Sequence, residues 1–232
     1  MIDNPIELPV DFALSTPILL LVLVALEAVL SADNAIALAS ISQSLVDEKL
    51  RPKALNIGLV FAYILRMALI VGATWVVRYW QFQVAGAAYL LWLVFGHFTA
   101  GKDEDGETIR PQYTSLWQVI PMIALTDLAF SLDSVATAIA VSSDTWLVIS
   151  GATIGIILLR FMADLFIRWL AEYTHLEDAG YVAVGLVGVK LLVRAVFPDL
   201  DVPEAITIVM VAVIFTWGFS QRKESASDEN IS

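Results

Sequence analysis

The chain alternates between long apolar runs and short polar segments. Runs of about 20 apolar residues have the length that an α-helix needs to cross a bilayer. The pattern predicts about seven membrane-spanning helices, at Thr16–Ile41, Ala54–Val77, Val84–Ala100, Leu116–Val141, Thr145–Leu170, Gly180–Phe197 and Ala205–Phe219. Such a sequence is typical of an all-α, polytopic membrane protein.

Polar segments separate these runs. Charged turns containing proline or glycine are predicted at Asp47–Lys53, Gly101–Arg110 and Pro198–Pro203. Residues 221–232 are predicted to form a polar tail, disordered from Arg222 onward. Lysine and arginine are concentrated after the first, third and fifth runs and in the tail, so the N-terminus is predicted outside and the C-terminus in the cytoplasm. Acidic residues precede the first run, so no cleavable signal peptide is expected.

The two halves of the chain resemble each other in order. Three pairs of segments match: Glu27–Asn34 with Asp127–Ser134, YILRMA around Arg66 with ILLRFMA around Arg160, and AYLLWLVFG from Ala88 with GYVAVGLVG from Gly180. They predict one domain, residues 1–220, with repeats at 16–100 and 116–197 and an extra helix at 205–219. Because three helices per repeat is an odd number, the second repeat is predicted to lie inverted in the membrane. Inverted repeats place transport sites near the bilayer midplane.

Composition supports membrane insertion and limits the chemistry. Of 232 residues, 59% are hydrophobic and 16% are charged, and the mean hydropathy is +0.78, whereas a soluble domain is roughly half apolar and a quarter charged. No cysteine is present, which excludes disulfides and thiolate ligands. Only His97 and His175 are present, which argues against a histidine-rich zinc or copper site. The net charge of −11 favours cations, not nucleic acid, as partners.

Four acidic residues lie near the middle of two apolar runs, where a charge is costly and is rarely kept without a use. Glu27 and Asp33 belong to the first run, and Asp127 and Asp133 to the fourth. The matching polar neighbours are Ser31, Asn34, Ser131 and Ser134. We interpret the two stretches as one buried cation site. The structural alternative is that the acids join helices through polar contacts.

Helical geometry makes a further prediction about these stretches. The second acid of each pair follows the first by six residues, so a regular helix would not point both at one ion. Both helices are therefore predicted to unwind or kink near Ser31 and Ser131, where residues that compete for backbone hydrogen bonds are found. Without a kink, Asp33 and Asp133 would instead accept hydrogen bonds from neighbouring helices. Carboxylate, amide and hydroxyl oxygens suit magnesium, calcium or manganese, and the surplus of acids permits exchange of metal for protons.

Basic residues also lie within the apolar runs. Arg66 and Arg160 occupy matching repeat positions, and either pair with the acids to neutralise the empty site or anchor at the membrane interface. Asp164, one helical turn after Arg160, is predicted to be its ion-pair partner. Lys190 and Arg194 are interpreted as interfacial anchors.

The segments EAVLSADN at Glu27–Asn34 and DLAFSLDS at Asp127–Ser134 resemble the paired signatures of the TerC family of integral membrane proteins, and within it the YkoY-like branch. The resemblance implies an ion site lined by Glu27, Asp33, Asn34, Asp127, Asp133 and Ser134. It also implies manganese efflux or metal supply for exported enzymes, and by name tellurium resistance, in a plasma (inner) membrane or a thylakoid membrane. Many members carry a proline shortly after the second motif, where this chain has Val135 and Ala136.

Three classes of function follow. We expect a transporter that exports a divalent cation, with Mn²⁺ as the first candidate, without a permanently bound cofactor. A membrane enzyme is disfavoured because the GxGD signature of intramembrane aspartyl proteases is absent. The remaining alternative is a membrane-protein assembly factor or tellurium-resistance protein without transport activity, which would not need four buried acids.

Overall fold

A computed structural model of the chain describes residues 17–25, 27, 31–101, 112–142, 144–197 and 203–223. These residues include eight helices: α1 (Ala32–Gln43), α2 (Arg51–Val71), α3 (Ala73–Arg78), α4 (Trp80–Thr99), α5 (Leu116–Val141), α6 (Thr145–Glu172), α7 (Leu176–Val196) and α8 (Glu204–Gly218). Residues 17–25 are helical as well. Within this part of the chain no strand forms, and two isolated bridges join Leu45 to Tyr113 and Tyr173 to Arg222. The predicted all-α architecture is confirmed.

Five helical segments of the described chain are long and apolar enough to cross a membrane. They are Glu48–Val71, α4, α5, α6 and α7, and the apolar segment Ala205–Gly218 in α8 is shorter. Large apolar side chains such as Trp92, Phe161 and Val209 are exposed on their outer surfaces, as contact with lipid requires. The chain is therefore a polytopic membrane protein. The first predicted span is described as helical residues 17–25 and as α1, while residues 28–30 lie outside the description.

Most predicted boundaries shift by a few residues, for local reasons. Helix α5 has the predicted bounds, but the second predicted helix ends at Val71, where Gly72 forms a turn before the short α3. The turn predicted at Asp47–Lys53 is largely helical, because a 3₁₀ helix at Glu48–Leu50 leads into α2. Pro52 fits the first turn of α2, where a missing N–H costs nothing.

Helices of the two predicted repeats pack mainly against each other. Helix α2 packs on α5, α1 on α6 and α4 on α7, whereas α5 and α6 barely touch. Helix α1 also contacts α5 and α7, and α4 contacts α5. Suppose that α1 is exchanged with α5, α2 with α6 and α4 with α7. The pair α2–α5 then becomes α6–α1 and the pair α4–α7 is unchanged, so the set of three pairs stays the same. This packing places α1, almost completely buried from Ala35 to Ile41, at the centre of the molecule.

Glycines allow two of these helix pairs to approach closely. A Cβ atom added at Gly58 of α2 would lie 2.6 Å from Ile123 Cγ2 of α5. A Cβ atom added at Gly180 of α7 would overlap Ile36 of α1. Small residues at such contacts are how membrane helices gain van der Waals packing without a hydrophobic driving force.

The beginning of the predicted tail is part of the fold. The backbone N–H of Lys223 donates to the carbonyl of Glu172 at 2.8 Å, and that of Thr174 donates to the carbonyl of Gln221 at 3.1 Å. Disorder from Arg222 onward is therefore wrong for Arg222 and Lys223. Residues 224–232 lie outside the described part of the chain.

Candidate cation site

Arg66 joins two acids that the sequence assigns to different repeats. Its Nη1 donates to Oε1 of Glu27, and its Nη2 donates to Oδ1 of Asp127 at 2.9 Å. The side chains of Arg66 and Asp127 are 1% and 0% exposed. We call Glu27, Arg66 and Asp127 the central triad. The interpretation that Arg66 pairs with the acids is confirmed.

Ser131 holds the Asp127 carboxylate from the next turn of α5. Its hydroxyl donates to the Asp127 carbonyl at 2.7 Å and lies 3.3 Å from Oδ2 of the same residue. Helix α5 is continuous through this position, so the unwinding predicted near Ser131 is wrong. A serine hydroxyl that bonds back to the carbonyl four residues earlier is compatible with a continuous helix.

Ser31 behaves differently from its repeat counterpart. It is buried in a turn just before α1, and its carbonyl accepts from the N–H of Ala35 at 2.9 Å. The described backbone thus has a helix boundary at the position where the sequence predicts an interruption. Asn34, in the first turn of α1, is buried. Asp33 belongs to α1 as well. Its side chain lies outside the described part of the structure, so the prediction that it turns inward stays a prediction.

Glu27 lies against a glycine of α6. A Cβ atom at Gly155 would overlap Cγ of Glu27, so the absence of a side chain at Gly155 lets the Glu27 stem lie directly on α6. Glu27 therefore contacts Arg66 through its carboxylate and α6 through its stem.

A small cleft borders the central triad. Its volume is about 20 Å³, room for about one water molecule. The cleft is lined by the polar residues Glu27, Arg66 and Ser134 and by Leu23, Val135, Ala138, Val148, Gly151 and Ala152. Apart from Glu27, Leu23 and Arg66, these residues belong to the last turns of α5 and the first turns of α6. The cleft therefore lies toward the end of the bundle where α5 connects to α6.

Asp133 lies in a second group of charges. Nζ of Lys190 donates to its Oδ2 at 2.7 Å, and Nη1 of Arg194 donates to its Oδ1 at 3.2 Å. The Asp133 and Lys190 side chains are each 7% exposed, and that of Arg194 is 38% exposed. The alternative that Asp133 accepts hydrogen bonds from a neighbouring helix is confirmed, and the interpretation of Lys190 as an interfacial anchor is wrong.

Arg160 lies on the outer side of α6. It donates to Oδ1 of Asn56 on α2 and pairs with Asp164, with 27% of its side chain exposed. Pairing with Asp164 is confirmed, and the interpretation that Arg160 neutralises the central acids is wrong.

The described acids at membrane depth form ion pairs with lysine and arginine side chains of the same chain. Among the described residues no three acidic or histidine side chains gather in one group that could hold a metal ion. Glu27 and Asp127 share Arg66, and Asp133 has Lys190 and Arg194. A cation entering from solution would compete with these side chains. The six-residue ligand set implied by the family resemblance stays a prediction.

Sequence reasoning missed two residues that shape the site. Lys190 was available as a signal, since a lysine inside an apolar run needs a partner as much as an acid does. Gly155 gave no such signal, because its importance depends on which side chain faces it.

Comparisons with known proteins place the chain in a family. The model of the Integral membrane protein TerC family matches residues 14–225. YceF of Bacillus subtilis (strain 168) is 34% identical over 200 residues, covering 83% of this chain and 77% of YceF. YkoY of the same organism is 35% identical over 191 residues, covering 74% of this chain and 58% of YkoY, so the match spans little more than half of that relative. YjbE is 31% identical over 176 residues, covering 75% and 79%.

These three relatives are described as uncharacterized membrane proteins. No solved structure is significantly similar to this chain. Because the family model matches nearly the whole sequence, and relatives above 30% identity cover most of it, the chain belongs to the TerC family of integral membrane proteins.

Proposed function

We propose that this protein is a transporter that exports a divalent cation, with Mn²⁺ as its first candidate. The observation that carries the proposal is the central triad: Glu27 and Asp127, from different predicted repeats, meet at a buried position on Arg66, and both Arg66 and Asp127 lie in helices long and apolar enough to cross a membrane. Burying two acids and an arginine at membrane depth costs free energy, and residues of this kind commonly mark ion pathways. The choice of Mn²⁺ as the ion and of export as the direction comes from the TerC resemblance.

The ligand chemistry supports a hard divalent ion. Glu27 and Asp127 supply carboxylate oxygens, and Ser134 adds a hydroxyl on the cleft that borders Glu27. Asn34 and Asp33 are the further proposed ligands, whereas Lys190 and Arg194 hold both carboxylate oxygens of Asp133. Such oxygen donors suit Mn²⁺, Mg²⁺ or Ca²⁺. The ion is the substrate in this proposal, no permanently bound cofactor or enzymatic activity is assigned, and protons are the proposed counter-ions.

The position of the cleft supports export. It lies at the end of the bundle where α5 connects to α6. In the orientation predicted from the positive charges, with the N-terminus outside and the C-terminus in the cytoplasm of a plasma or thylakoid membrane, this end faces away from the cytoplasm. The conformation described here then places the triad beside the side to which an exporter releases its ion.

The test is manganese accumulation in cells that lack their own manganese exporters. Cells producing the intact protein are expected to accumulate less manganese, and Glu27→Gln and Asp127→Asn are expected to abolish the effect at matched membrane expression. Asp164→Asn is the matched control, because it removes an acid from a membrane helix without touching the triad. Equal accumulation with the intact protein and both triad variants would contradict manganese export and favour an assembly role.

A further inference from the structure

The guanidinium of Arg66 is held by the two carboxylates. Nη1 and Nη2 bond to Glu27 and Asp127, whereas Nε, although buried, has no hydrogen-bond partner among the described residues. A buried arginine fixed for structural reasons alone would be expected to have its donors satisfied. Arg66 is instead attached to the site through the same oxygen atoms that the proposed substrate needs.

The geometry indicates that the Arg66 guanidinium and a divalent ion would occupy the same place between the two carboxylates. The two oxygens that Arg66 contacts, Oε1 of Glu27 and Oδ1 of Asp127, are close enough for one guanidinium to bridge them. A divalent ion binds such oxygens at about 2.0–2.6 Å, so an ion bridging them would lie where the guanidinium now lies. The two cations cannot occupy that place together.

Resting on the proposed function, we propose that Arg66 is a tethered counter-ion of the cation site, which the transported ion must displace and which expels that ion when it returns. The expelled ion leaves through the cleft, which Glu27 and Arg66 both border.

Charge balance explains why an exchange is favoured over joint occupancy. With Arg66 in place, the triad carries one negative charge, and a divalent ion neutralises the two carboxylates once the Arg66 side chain has turned away from them. Both cations together would leave a buried net positive charge, which is expensive in a low-dielectric interior. Without a returning arginine, a divalent ion between two buried carboxylates would be released slowly.

The second arginine of the repeat provides a control within the same molecule. Arg160 occupies the matching repeat position and also lies in a membrane-spanning helix, but it contacts Asn56 and Asp164. Replacing Arg160 removes the same charge from the same kind of helix and leaves the triad intact.

The experiment measures Mn²⁺ binding and Mn²⁺ release with purified protein. Binding is followed by electron paramagnetic resonance of free Mn²⁺ with protein in lipid nanodiscs, and release by flux through proteoliposomes. Arg66→Gln is expected to bind Mn²⁺ at least about tenfold more tightly, which is about 1.4 kcal/mol, and to lose most of its flux. Arg66→Lys keeps a charge but bridges two carboxylates poorly, so its affinity for Mn²⁺ is expected to lie between that of the intact protein and that of Arg66→Gln. Arg160→Gln is expected to match the intact protein.

The outcomes separate this inference from the proposed function. If the intact protein transports Mn²⁺ and the Arg66 variants bind it equally or more weakly, the tethered counter-ion is wrong and the transporter proposal stands. If the intact protein neither binds nor transports Mn²⁺, Mg²⁺ or Ca²⁺, both are wrong. Should Arg66→Gln fail to fold, Arg66→Lys decides: unchanged affinity overturns the inference, and tighter binding with slower flux supports it.

Discussion

Gly155 is the residue whose replacement tests the placement of Glu27 most directly. A methyl group there would overlap Cγ of Glu27, so Gly155→Ala is expected to displace the carboxylate without removing a charge. Overpacking of this kind costs about 1–3 kcal/mol, and about twofold to tenfold weaker Mn²⁺ binding is expected if half of that cost falls on the site. Gly96→Ala is the control, since no atom of the described residues lies within 4 Å of its added Cβ. Unchanged Mn²⁺ binding by Gly155→Ala would show that the contact does not position Glu27.

The charged residues of the central triad could be predicted from the sequence only in part. The cost of a charge in an apolar helix singled out Glu27, Asp127 and Arg66 without a structure. The same rule could not tell Arg66 from Arg160, because both lie at matching positions in apolar helices. Their difference arises from neighbours: Arg66 faces two acids, whereas Arg160 faces Asn56 across the α2–α6 contact.

Two helices are joined by the ion pair between Asp133 of α5 and Lys190 of α7. Removing one partner of a buried pair costs about 3–5 kcal/mol when the other charge is left unpaired. Since Arg194 still contacts Asp133 when Lys190 is replaced, Lys190→Met is expected to lower the melting temperature by less than that full cost, and Lys190→Met with Asp133→Asn to restore part of the loss. Arg194→Gln should have a smaller effect, because its side chain is 38% exposed. The intrinsic fluorescence of the seven tryptophans in detergent-purified protein follows unfolding. Equal melting temperatures for Lys190→Met and the intact protein would show that this pair does not stabilise the α5–α7 contact.

Helix boundaries were predictable where the apolar pattern had sharp ends. Helix α5 begins after the N-cap Ser115 and ends before Ser142, as its apolar run does. The predicted unwinding at Ser131 was wrong, since residue type alone does not reveal whether a serine hydroxyl bonds its own helix or frees a carbonyl. The second predicted helix was also wrong at Gly72, where the turn that separates α2 from α3 lies inside an uninterrupted apolar run.

At the scale of the whole molecule, the six principal helices form pairs between the two predicted repeats. Because α2 packs on α5, Asp127 of the second half is paired only when Arg66 of the first half is in place. The central triad exists only when residues 17–71 meet α5, which couples assembly of the fold to assembly of the site. This interleaving could not be read from local periodicity, which is alike in all of these helices.

The orientation of the whole molecule decides which side the cleft faces. The absence of cysteine makes any introduced cysteine the sole target for a thiol reagent. Thr145→Cys, at the start of α6, and Ala138→Cys, in the cleft, are expected to react with a membrane-impermeant maleimide on intact cells. Thr174→Cys, beyond the end of α6, is expected to react only after permeabilisation, because α6 crosses the bilayer between these positions. The unmodified protein gives the background. The opposite labelling of Thr145→Cys and Thr174→Cys would reverse the orientation, turn the cleft toward the cytoplasm and make this conformation the one that loads the cation.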